Sequence, residues 1–262
     1  MHGAARVCDH AGMQTPGTPL PAPVLEASPG FTAGTVLSRG FSVWIANLPL
    51  FFGVSFVCYL PLLLIPTADP KDPKSFFVTT LGAIVLQAII GAIVSGAVVR
   101  GVFEQLRGNR ASFGDSLRVA IRALWRILGA TFGAAVIVML FSLLLVVPGI
   151  VKACSYYVAI PAAVVEGTGV SGSLSRSRKL AEGYRWHIFG ILLVGGLLGM
   201  LIGGAAAVVF RGISGPLQTT LVSVVPNAIV GSLTAVFSGV GYYQLRVAKE
   251  GIDIEQLAAV FD

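Results

Sequence analysis

The chain has 262 residues, of which 55% are hydrophobic and only 11% charged, with a mean hydropathy of +0.84. A soluble domain carries about 25% charged residues, so this chain lacks the polar side chains to cover a water-facing surface, and a bilayer removes that need. The net charge of +6 does not point to nucleic acid, because the basic residues sit in short segments beside apolar runs.

Residues 1–35 read as a disordered tail rich in Pro, Gly, Ala and Thr, with no apolar core of signal-peptide length. Met13 is an alternative start to Met1, so Cys8 and His10 are not built into a metal site. Residues 36–248 form the predicted membrane domain. A hydrocarbon core of about 30 Å needs roughly 20 helical residues. Uncharged runs at 41–65, 75–99, 127–151 and 187–210 meet that length, the third ending at a Pro148-Gly149 break. A longer run, 212–245, contains Pro226-Asn227, which should kink the helix or shift its start.

The doubtful span is 153–165, thirteen uncharged residues between Lys152 and Glu166. Charge topology decides in its favour. Residues 100–126 and 167–186 are both rich in basic residues and belong on the cytoplasmic side. The chain crosses outward between them and must cross back, through 150–167. Fourteen of the eighteen Lys and Arg then fall on the cytoplasmic side. The fold predicted is an all-α polytopic bundle of about six transmembrane helices, both termini cytoplasmic, in a bacterial inner membrane. Residues 249–262 read as a short amphipathic tail, with Asp253 as its cap and Ile254, Leu257, Ala258 and Phe261 on one face.

A weak repeat links the entries to the odd-numbered spans. Trp125-Arg126-Ile127 matches Trp186-His187-Ile188, each preceded by a Ser-Leu pair and basic residues, and Leu37-Ser38-Arg39 precedes Trp44. Interfacial anchoring of Trp beside Arg explains the pattern equally well. Between 111 and 128, Phe113, Leu117, Ile121, Leu124 and Leu128 follow helical spacing, with Arg118, Arg122 and Arg126 on another face. That is an amphipathic interfacial elbow leading into a span, with anionic headgroups as its partners.

Small residues recur at four-residue intervals: Gly195, Gly199 and Gly203 in the fifth span, and Gly231, Ala235 and Gly239 in the sixth. Such stripes let helices approach closely. Packing inside the bundle is one use, and a homo-oligomer or another membrane protein is the alternative partner.

No catalytic, cofactor-binding or metal-binding pattern is present in the sequence, and the three histidines do not cluster. The carboxylate that stands out is Glu166, which ends the short fourth span just before a basic elbow. An ion pair with Arg176, Arg178 or Arg185 would hold that elbow, beside the interfacial Trp186, against the bundle.

The stretch 148–190 contains Pro148-Gly149, Pro161-Ala162, Val165-Glu166-Gly167, Ser173-Leu174, Arg176-Ser177-Arg178, Leu180, Gly183 and Trp186. It resembles bacterial proteins of the glycerophosphoryl diester phosphodiesterase membrane-domain-like family. The resemblance implies a polytopic inner-membrane protein. It does not carry over the phosphodiesterase activity, which in that family belongs to a separate soluble barrel. The function expected is non-enzymatic organisation of lipids or partner proteins, with a small-molecule or lipid permease as the alternative.

Overall fold

A computed structural model describes residues 31–64, 72–106 and 113–251, and among these all regular structure is helical. Five helical runs are long and apolar enough to cross a bilayer. Two further helices, Ala33–Ala46 and Leu48–Leu64, meet the same length and apolarity only when taken together across an 83° bend, which gives five or six candidate crossings. The chain is an all-α, multi-pass membrane bundle. The predicted C-terminal tail helix and most of the N-terminal tail lie outside the described residues.

The packed region begins earlier than residue 36. Phe31 is 3% exposed, and Thr32 caps α1 (Ala33–Ala46) by accepting a hydrogen bond from the Thr35 N–H. The uncharged run 41–65, expected as one straight span, is instead broken. Asn47 separates α1 from α2 (Leu48–Tyr59), which continues into a tight 3-10 turn at Leu60–Leu64. Pro49 explains the break: it has no N–H to give, and its ring would collide with the carbonyl four residues back in α1.

The next span is α3 (Pro73–Leu106), whose 34 residues reach roughly 51 Å and so project beyond the hydrocarbon. A short elbow, α4 (Phe113–Arg122), leads through Ala123 into α5 (Leu124–Leu144). The elbow faces the bundle with small residues. Ser116, Ala120 and Ala123 are buried, as is Ile127 in α5, whereas Ile121 is 55% exposed. The large apolar stripe read from the sequence is therefore only partly used in packing; small side chains let α4 lie close to α3, where Gly96 meets Ala120 and Ile127.

The third span ends sooner than expected, at Leu144 rather than at Pro148-Gly149. A turn at Leu145 starts α6 (Val146–Ser155), and Pro148 sits in its first turn, where a missing N–H costs nothing. The return crossing accordingly gains residues at its start. With α7 (Ala159–Val165) it forms the run Val146–Val165, twenty residues, interrupted at 156–158. At the tip of this hairpin, residues 143–147 are all Leu or Val and are 64–86% exposed.

After α7 come the elbow α8 (Val170–Ala181) and the span α9 (Arg185–Val209). A single helical turn, α10 (Pro216–Thr219), and a widened π turn at Thr220–Val224 precede α11 (Val225–Glu250). Pro226 thus sits at the start of the last helix, the shifted boundary that its position implied. The long helix α11 is the central post, packed against α1, α2, α3 and α9. Its Val236, Phe237, Tyr242 and Leu245 are among the least exposed side chains of the core.

The two small-residue stripes do not pack on each other. Gly195 and Gly199 in α9 face Thr234 and Val230 of α11, while Gly231 and Gly239 of α11 face Tyr59 and Val102 on the opposite side. Ala235 is buried between them in sequence. Gly203 has no neighbour within 4 Å of where a Cβ would stand, so the stripe on α9 ends before it. In α5, Gly129 lies directly under Val170 and Gly133 under Leu174, which seats α8 on α5.

Gly129→Leu should lower stability by about 1–3 kcal/mol through overpacking, whereas Gly203→Leu should stay within about 0.5 kcal/mol of wild type. Thermal unfolding of both variants in lipid discs measures this. Strong destabilisation by Gly203→Leu would show that its open face is covered by a second copy or another protein.

Candidate functional site

The interruption at 156–158 places backbone polar groups at membrane depth. Pro161 causes it, since a continuous helix would drive its ring into the Tyr157 carbonyl. Two serines repair the damage. Ser177 of α8 donates to the Ser155 carbonyl (2.9 Å) and accepts from the Val158 N–H (3.2 Å). Ser238 of α11 donates to the Tyr157 carbonyl freed by the proline (3.1 Å). Gly241 makes room for the Tyr157 ring on the same face of α11.

Beyond α7 the chain turns sharply. Glu166 ends the helix, and Gly167 follows with φ +63, a left-handed conformation that favours glycine. Arg126 of α5 donates to the Gly167 carbonyl (2.9 Å), and its guanidinium occupies the space a Cβ at Gly167 would need. In α8, Ser173, Ser177 and Ala181 form a buried small-residue stripe, so the opposite face carries Arg178 and Lys179 into the surroundings.

That turn builds an ionic cluster. The Arg176 Nε donates to Glu166 Oε1 (2.6 Å), and its Nη1 pairs with Glu250 at the end of α11. Glu250 also pairs with Arg246 (2.9 Å), and the Tyr242 hydroxyl donates to Glu166 (2.7 Å). Tyr242, Arg246 and Glu250 are spaced by four and share one face of α11, with the Arg246 guanidinium over the Tyr242 ring. All four charged side chains are between 10 and 24% exposed, so the cluster is half-buried. Burial opposes the Arg176 charge, but the hydrogen bonds and charges of Glu250 and Glu166 outweigh it and raise its pKa further.

Of the three partners offered for Glu166, the structure selects Arg176. Arg178 and Arg185 are exposed and do not pair with it. Trp186 is 83% exposed, as is Trp125, each beside arginine at the start of a span. Trp44, the third member of the repeat, differs: its indole N–H donates to Ser232 inside the bundle (2.9 Å). Sequence reasoning missed Glu250, Arg246 and Ser177. A stripe at four-residue spacing, Tyr242-Arg246-Glu250, was the available signal for the first two, and the small stripe in α8 for the third.

These features define a multi-pass, all-helical membrane protein with an ion-paired elbow. No family model, no curated protein and no solved structure matches the chain.

Ser177→Ala strands two buried backbone groups and should cost about 1–3 kcal/mol, with Ser238→Ala costing less because one carbonyl is stranded. Unfolding midpoints in lipid discs give the order. Arg176→Gln leaves Glu166 and Glu250 facing each other without their shared cation. It should destabilise by about 1–3 kcal/mol, more than Glu166→Gln, whose amide oxygen still accepts from Tyr242. Equal losses for the two variants would mean that Arg176 does not bridge the carboxylates.

Proposed function

We propose that this chain is a non-enzymatic bacterial inner-membrane protein, N-in and C-in, that organises anionic lipids or partner proteins at its cytoplasmic face. The observation that carries the reading is the sorting of charge on the elbow α8. Arg176 is consumed by the internal cluster, while Arg178, Lys179 and Arg185 project outward next to the exposed Trp186. Cations with an aromatic anchor at the edge of a span suit a surface of anionic headgroups, each cation contributing about 1 kcal/mol. The junction of α4 and α5 supports the same reading, with Arg122 at the end of α4 and Trp125 at the start of α5 both exposed.

The residues of the glycerophosphoryl diester phosphodiesterase membrane-domain-like resemblance fall in α6, α7, α8, the start of α9 and the turns at Glu166-Gly167 and Gly183. Glu166, Arg176 and Ser177, all within that stretch, hold the elbow in place. A second reading, a permease, draws support from the three interrupted crossings, since broken helices line the sites of many transporters.

Extraction into native lipid discs followed by mass spectrometry should find anionic lipids enriched around the wild-type chain. The triple variant Arg178→Gln, Lys179→Gln, Arg185→Gln should lose most of that enrichment while folding normally. Protein-dependent solute or lipid flux in reconstituted vesicles would favour the permease instead.

A further inference from the structure

Hydroxyl groups inside these spans are mostly satisfied by their own helix. Thr79, Ser155 and Thr234 each donate to the carbonyl four residues earlier, at 2.7–2.8 Å. Several hydroxyls depart from this habit. Ser55 and Tyr157 are buried without a partner, and Tyr59, Ser95 and Thr131 likewise make no hydrogen bond among the described residues, the Thr131 oxygen being fully enclosed.

The last three line one cavity of about 270 Å³, bounded by α2, α3, α5, α7 and α11. Gly91 and Gly231 leave room for the Tyr59 hydroxyl, which lies 3.0 Å from where a Cβ on Gly231 would stand. Ser95 is five residues from Arg100, and Thr131 five from Arg126, so both lie roughly 7–8 Å along their helices from the charged edge. The cavity is therefore at membrane depth.

An unpaired hydroxyl in an apolar setting is costly, and three line this one space. An acyl chain filling the space would bring no partner for any of them. A guest with its own donors and acceptors would serve the Tyr59 and Ser95 hydroxyls directly, and the Thr131 hydroxyl, enclosed in this rotamer, once χ1 turns its oxygen toward the space. The volume accommodates roughly nine waters at about 30 Å³ each, or a compact organic molecule with a few waters. No ionisable group but the Tyr59 phenol lines the wall, so a charged guest would find no counter-ion.

We propose that this cavity is a binding site for a small neutral molecule bearing several hydroxyl or amide groups, held by Tyr59, Ser95 and Thr131. The site is independent of the lipid-facing surface on α8, and either can fail without the other.

The test uses the full chain in lipid discs with Cys8, Cys58 and Cys154 replaced by alanine, and Ser95→Cys or Ile84→Cys added. Ile84 is 58% exposed on α3, at the lipid-facing surface. Hydroxyethyl methanethiosulfonate reacts with a thiolate, which forms only where water reaches the sulfur. Ser95→Cys should react at least tenfold faster than Ile84→Cys. Glycerol or urea should slow it several-fold, and a disaccharide too large for the cavity should not. Adding Thr131→Val should abolish that protection. Should Ser95→Cys fail to fold, Thr131→Cys reports on the same space, with Tyr59→Phe then replacing Thr131→Val. Labelling as slow as at Ile84→Cys would overturn the proposal, showing a dry or lipid-filled space. So would fast labelling that neither probe changes, which would show hydration without a ligand site.

Discussion

A bilayer offers no water to an interrupted helix, and this structure is organised around meeting that constraint at residues 156–158. Pro161 opens the helix, and the exposed carbonyl and N–H groups are taken up by Ser177 and Ser238. Those serines come from different elements, α8 and α11. The repair therefore ties a surface elbow and the central post to the same short break. The elbow α8 cannot lift away without leaving buried polar groups stranded, which ordinary apolar contact alone would not enforce.

The ionic cluster reinforces the same junction from the charged side. Arg176 is one residue before Ser177, so it points off a neighbouring face of α8 and reaches both Glu166 and Glu250. Gly167 provides the sharp turn that brings α8 back over α5, where Gly129 and Gly133 receive Val170 and Leu174. Backbone geometry, small-residue packing and charge pairing thus converge on one elbow. The cations left over, Arg178, Lys179 and Arg185, face outward, both carboxylates of the cluster being already paired with Arg176 and Arg246.

Much of this was legible in the sequence, and the limits have physical causes. Apolar runs of about twenty residues announce helices because the thickness of hydrocarbon sets their length. Charge topology called for a return crossing, and the run Val146–Val165 is long and apolar enough to make one, the Leu145 turn supplying its missing residues. Proline was harder to read. Pro148 was expected to end a helix but sits in the first turn of one, whereas Pro49 and Pro161 break helices, because only tertiary context decides which side of a proline is helical. The pairing of Glu166 with a basic residue of the next elbow was readable from proximity. The participation of Glu250, 84 residues further on, depends on how α11 packs, and local spacing does not encode that. Small-residue stripes identified close-packed faces but not their partners, since any helix of suitable shape can occupy such a face. Gly203 shows the other limit, a stripe member that meets nothing.

The tip of the α5–α6 hairpin bears on how the protein enters its membrane. Residues 143–147 carry only Leu and Val, and from residue 127 to residue 165 Lys152 is the single charged side chain. A hairpin with a hydrophilic loop must carry that loop through the hydrocarbon during assembly, at a cost that grows with each charge. Here the load is one ammonium on a long flexible stem, which can stretch toward a headgroup and already lies over the Phe141 ring. The two helices can therefore partition together from one side as a preformed unit, and biogenesis of this third of the bundle needs no translocation of a polar segment.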